Sequence, residues 1–66
     1  MDPRYPDIEV QLTSSDGNAF AVIGAVSQAL KRAGVEAEKV NEFRTEAMSG
    51  DYDNVLQTAM AWVEVT

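Results

Sequence analysis

Two aspartates and an asparagine crowd into four positions of "SGDYDN", residues 49–54. Oxygen ligands this dense could hold a hard cation. A calcium loop of the EF-hand kind needs oxygens at alternate positions, glycine at the sixth and glutamate at the twelfth. Counting from Asp51, position five is Val55, position six is Leu56 and position twelve is Trp62. The metal pattern fails. Helix capping accounts for the same residues. Gly50 ends one helix, Asp51 takes up the orphan amides of the next, and Asp53 lies in its first turn, where negative charge is favourable.

Other chemistry is equally thin. The chain has no histidine and no cysteine, which removes the commonest general base, the commonest metal ligand and any thiolate. Ser14, Ser15, Ser27 and Ser49 have no histidine to activate them, and Lys31 and Lys39 fall near solvent. Paired carboxylates do acid–base work when burial or crowding perturbs one of them, but most acids here fall on exposed arcs. "SDG" at 15–17 is a lone glycine in a turn, not a phosphate cradle. The expectation is a protein that is not an enzyme and holds no metal and no cofactor.

The acids are more informative as a surface. Glu38, Glu42 and Glu46 recur every fourth residue, opposite an apolar stripe of Val40, Phe43 and Ala47. At this spacing they stand about 6 Å apart along a helix. Like charges so placed cost a few tenths of a kcal/mol per pair. Lys39 and Arg44 flank this ridge, and Asp51 and Asp53 extend it at the helix junction. An ordinary solvated helix face has the same appearance; a docking ridge for a basic groove is the alternative. Eleven acids against five bases give a net charge of −6. Nucleic acid and anionic membrane would be repelled and a basic protein surface attracted. A second surface is uncharged: Ala21, Gly24, Ala25 and Gln28 share the outer face of the first helix, where small residues allow close approach.

These faces presuppose a set of elements. Residues 1–6, "MDPRYP", hold both prolines and read as a flexible arm. "DIEVQLT" alternates, with Ile8, Val10 and Leu12 on one side, as a half-buried strand does. "SSDGN" is a turn with capping candidates in Asp16 and Asn18. From Ala19 to Ala33 the period becomes helical, with Phe20, Ile23, Val26, Ser27 and Leu30 on one arc. Lys31 and Arg32 complement the helix dipole, and Gly34 suits a left-handed C-terminal cap. With Glu36 as N-cap, Val35 and Val40 can form a hydrophobic staple. The second helix presents Val40, Phe43 and Ala47, with Met48 at the edge, and stops at Ser49–Gly50. The third starts at its cap Asp51 and turns Tyr52, Val55, Leu56, Ala59 and Met60 inward. In the closing "WVEVT", Val63 and Val65 alternate with Glu64 and Thr66. Clustered β-branched residues favour a final strand; two more turns of helix are the alternative, since Val63 also falls on the apolar arc.

The expected fold is therefore α+β, in the order β-α-α-α-β. The two short terminal strands pair, in an orientation left open, with Ile8, Val10, Val63 and Val65 buried beneath three helices on one face. Residues 7–66 form a single small domain. Leu, Ile, Val and Phe make up 15 of the 66 residues, above the level of about 20% below which disorder is expected. No apolar run nears the roughly 18 residues of a membrane span. "MDPRYPDIEV" lacks the apolar core of a secretory signal, so an intracellular, cytoplasmic location is expected.

"DGNAF", "EAMSGDYDN" and the closing "WVEV" resemble small acidic proteins of phages, prophages and bacterial mobile elements, over roughly residues 8 to 65. Some acidic proteins of that size and origin are anti-CRISPR inhibitors of the DNA-mimic type. The resemblance implies a negative surface offered to the basic DNA-binding site of a CRISPR effector. It carries over no site residues; Glu38, Glu42, Glu46, Asp51 and Asp53 come from the helix faces alone. The expectation is a monomeric, non-enzymatic inhibitor of a bacterial defence complex. The competing expectation is a small assembly domain docking through the small-residue face of the first helix.

Overall fold

A computed structural model describes residues 3–11 and 18–66. The elements run β1 (Tyr5–Val10), α1 (Ala19–Arg32), α2 (Ala37–Ala47), α3 (Tyr52–Trp62) and β2 (Val63–Val65). The two strands form one parallel sheet. Parallel strands need a long crossover connection, and here three helices provide it. The alternative of a helical tail is ruled out: the helix ends at Trp62, and Val63 is extended at φ −135°, ψ 167°.

Local chemistry explains where each helix begins and ends. Asn18 caps α1, its Oδ1 accepting from the N–H groups of Phe20 at 3.0 Å and Ala21 at 3.4 Å. The other capping candidate, Asp16, and the strand residue Leu12 lie outside the described residues. At the far end of α1, Gly34 has φ +90°, a conformation glycine adopts without the Cβ penalty. The Gly34 N–H donates to Lys31 O and the Val35 N–H to Leu30 O, both at 3.0 Å. That pair of bonds is a Schellman motif. Val35 then packs on the core, and Val40 is buried one turn into α2, the arrangement of a hydrophobic staple. Glu36 is the N-cap residue of α2 but makes no side-chain cap bond.

The core lies between the helices and one face of the sheet. Val10 and Val63 are buried, and Ile8 and Val65 pack partly buried against them. Trp62 sits at the centre. Its ring meets Phe43 of α2 edge-on at 5.6 Å between centroids and Tyr5 of β1 at 5.9 Å. Aromatic contacts of this kind contribute about 0.5–1.5 kcal/mol beyond area burial. The Arg4 guanidinium lies 4.1 Å from the Trp62 ring centroid, and the Arg4 N–H donates to Ala61 O at 2.9 Å.

Three expectations are corrected here. Arg4, Tyr5 and Pro6 do not belong to a flexible arm. β1 begins at Tyr5, because Trp62 offers that segment an aromatic face and Ala61 a carbonyl. Phe20 is 75% exposed and Met60 57% exposed, although both were assigned to buried arcs. On α3 each residue turns about 100°. Val55, Ala59 and Trp62 set the buried direction, and Met60 falls on the other side of Ala59 from Trp62. Val22, Thr58 and Trp62 are buried in their place.

Candidate functional site

"SGDYDN" is built as a clamp between two helices. The Asp51 Oδ1 accepts from the Asn54 N–H at 3.0 Å, the N-cap bond of α3. The Asn54 side chain turns back across the junction. Its Nδ2 donates to the carbonyls of Glu46 at 3.0 Å and Ala47 at 3.2 Å, two of the last four of α2, which find no partner in the helix ladder. Glu46 O also accepts from the Ser49 N–H at 3.2 Å. The Ser49 hydroxyl adds a donation to Glu46 O at 2.6 Å. Gly50 is small because Asn54 is close: a Cβ there would sit 2.9 Å from the Asn54 Cβ. Asp53 accepts from the Gln57 Nε2 at 2.9 Å. The cluster that first suggested a metal loop is thus engaged in joining α2 to α3. Among the described residues, no three acidic side chains come together as a metal site would require.

All five ridge residues, Glu38, Glu42, Glu46, Asp51 and Asp53, are exposed. Val40, Phe43 and Ala47, on the other side of α2, are buried. The fold therefore holds the three glutamates on a helix anchored firmly from below. The ridge is not uninterrupted, however. Glu42, its middle member, pairs with Arg4 at 3.6 Å and with Lys39 at 3.4 Å. The expectation that Lys39 merely flanks the ridge is corrected. So is that for Arg44, which lies in a crease between α1 and α2. The Arg4 contact was invisible in the sequence, since it depends on where Trp62 draws the N-terminal segment.

A further acidic feature depends on register. Glu9 and Glu64 are direct partners across β1 and β2, and both are exposed. Neighbouring strands lie about 4.8 Å apart, and like charges so opposed are destabilising. Among the described residues neither carboxylate has an ion-pair partner. Alternation alone places each on the outer face; only the parallel register sets them side by side.

The small-residue face of α1 borders the crease that holds Arg44. Ala21, Gly24 and Gln28 are exposed there, Ala25 is half-buried, and a Cβ on Gly24 would meet nothing within 4 Å. Phe20 and Met48, 75% and 49% exposed, stand at the same place. Ser27 is buried beside it, and its Oγ has no hydrogen-bond partner among the described residues.

Comparison with family models, curated proteins and solved structures returns no match. Among the described residues, no helix is long and apolar enough to cross a membrane.

Proposed function

We propose that this chain is a non-enzymatic acidic inhibitor that mimics DNA and occupies a basic nucleic-acid-binding site, as an anti-CRISPR protein does toward a CRISPR effector. The observation that carries this reading is the exposure of Glu38, Glu42 and Glu46 along the solvent-facing side of α2, with Asp51 and Asp53 exposed at its junction with α3. A rigid helix presents these charges without further ordering, which lowers the entropy lost on docking.

Magnitudes set what the ridge can do. Charges every 6 Å or so are sparser than the one charge per roughly 3.4 Å of a DNA strand. The glutamates alone are a dilute imitation, and the aspartates at the junction are needed to extend it. The pairs that Glu42 makes with Arg4 and Lys39 are half-exposed. Such pairs are worth about 0–1 kcal/mol, so an incoming arginine can replace them at small cost. The side-by-side Glu9 and Glu64 support the same class of partner, since a cation brought to them relieves a repulsion built into the sheet.

The test uses a purified CRISPR effector–guide complex and labelled target DNA. The parent chain should displace the DNA. Its hold should weaken as salt rises, since the Debye length is about 8 Å at physiological ionic strength. Changing Glu38, Glu42 and Glu46 together to lysine should abolish displacement while circular dichroism remains that of the parent. Undiminished displacement by the folded triple variant would remove the ridge from the function.

A second reading, an assembly domain docking through the small-residue face of α1, draws on Phe20 and Met48. Both are large apolar side chains exposed beside that face.

A further inference from the structure

The crease between α1 and α2 is polarised along its length. Lys31 stands at one end, and Arg44 lies one turn of α2 before Met48. Phe20, Ile23 and Met48 line the middle, and the groove continues past them to Asp51 and Tyr52 at the start of α3. Lys31 lies eleven residues beyond Phe20 on the same helix, about 16 Å away along its axis. A basic end, an apolar centre and an acidic end thus follow one another on a single face of the molecule.

Such a face is complementary to itself. Turned by a two-fold rotation about its apolar centre, it sets Arg44 of one copy over Asp51 of the other, since each lies within about a turn of Met48 along the chain. The second contact follows by symmetry, and the Phe20 and Met48 side chains of both copies meet at the axis. Two-fold pairs are built in this isologous way. Phe20, Met48 and Arg44 are of types enriched at protein interfaces, while aspartate and lysine are depleted there and belong to the polar rim. Gly24 leaves open space beside Phe20, into which a side chain from the facing copy can enter. A partner of uniform charge would match only one end of the crease; a second copy matches both.

We propose that a second copy of this chain docks in the α1–α2 crease, forming a two-fold pair centred on Phe20 and Met48. This gives the assembly reading a definite partner and replaces the expectation of a monomer. It does not depend on Glu38, Glu42 and Glu46, which lie on the other side of α2 and stay open in the pair; Asp51 is the one ridge residue the two surfaces share. A weak pair is expected, since a standard interface takes about 800 Å² from each partner, a large share of the 4344 Å² surface of this chain.

The test is sedimentation equilibrium of the parent chain at physiological salt, from about 10 μM to about 1 mM, the range in which weak interfaces associate. A monomer–dimer equilibrium is expected. Phe20→Ser, a change at an exposed position, should weaken it at least tenfold. Arg44→Glu and Asp51→Lys should each weaken it when alone, and an equimolar mixture of the two should restore it as a heterodimer. Circular dichroism checks that each variant is folded; if Asp51→Lys is not, the Phe20→Ser result decides. A parent that stays monomeric to the highest concentration overturns the proposal. So does a dimer indifferent to Phe20→Ser. The wider assembly reading is judged apart from this: it survives a monomeric parent only if immobilised parent retains a protein from bacterial lysate that the Phe20→Ser variant does not.

Discussion

The two interhelical junctions use the same small vocabulary in opposite ways. Between α1 and α2 the chain turns on its own backbone. Gly34 adopts φ +90°, the Gly34 and Val35 amides close on Lys31 and Leu30, and Glu36 lends no side-chain bond. Between α2 and α3 the turn is held by side chains. Asp51 caps α3, while Asn54 and Ser49 reach back to the last carbonyls of α2. Each junction contains a glycine, for different reasons. Gly34 is required by its backbone angle and has nothing near its missing Cβ; Gly50 has no positive φ and is required by the nearness of Asn54. A glycine before a polar cluster therefore does not mean the same thing twice, even within one small domain.

The largest expected effect lies at Asn54. Local rules favour Asn54→Asp, since a carboxylate in the first turn of a helix gains about 0.3–1 kcal/mol from the dipole. The clamp demands the reverse: the donor is replaced by a carboxylate facing the carbonyls of Glu46 and Ala47. Glu46 O keeps its bonds from Ser49. Ala47 O loses the Asn54 donor, and a polar group left unsatisfied costs about 1–3 kcal/mol, to which the repulsion between the facing oxygens adds. Loss should win, with a net destabilisation of about 2 kcal/mol or more in urea unfolding. A variant as stable as the parent would show that the junction stands without the clamp.

The glycines give the next effect and the sharper contrast. Gly34→Ala and Gly50→Ala should each cost about 1–2 kcal/mol, the first through backbone strain and the second through a clash. Asparagine tolerates the left-handed region, so Gly34→Asn should recover most of the loss while Gly50→Asn recovers none. Thermal melts of the four variants settle it. Equal behaviour of the two asparagine variants would erase the distinction between the junctions.

The smallest effect compares the two N-caps. Asp51→Ala should cost about 1 kcal/mol, the usual value of a side-chain cap. Glu36→Ala should stay within about 0.5 kcal/mol, as surface changes without a specific contact do. Denaturant midpoints measured side by side would expose an error if Glu36 proved the costlier change.

Several surfaces followed from periodicity. The exposed ridge of Glu38, Glu42 and Glu46 is where a 3.6-residue repeat puts it, since Val40, Phe43 and Ala47 leave α2 one way to face. The arcs of α1 and α3 were less legible. Phe20 and Met60 sit at the margins of their apolar arcs, and the wheel of a single helix does not say how wide a neighbour will cover it. Trp62 was read as the opening of a terminal strand, yet it is the last helical residue and the hub of the core.

Helix starts and stops, the caps at Asn18 and Asp51, the left-handed Gly34 and the strand character of Val63–Val65 depend on residues within a few positions of one another. A hydrogen bond or a steric limit of that range is written into the order of the chain. The parallel direction of the sheet, the meeting of Glu9 with Glu64, the Arg4 guanidinium over Trp62 and the crease that gathers Phe20, Met48 and Arg44 join residues far apart in the chain. No local energy term links those residues, so they meet only once the helices have packed.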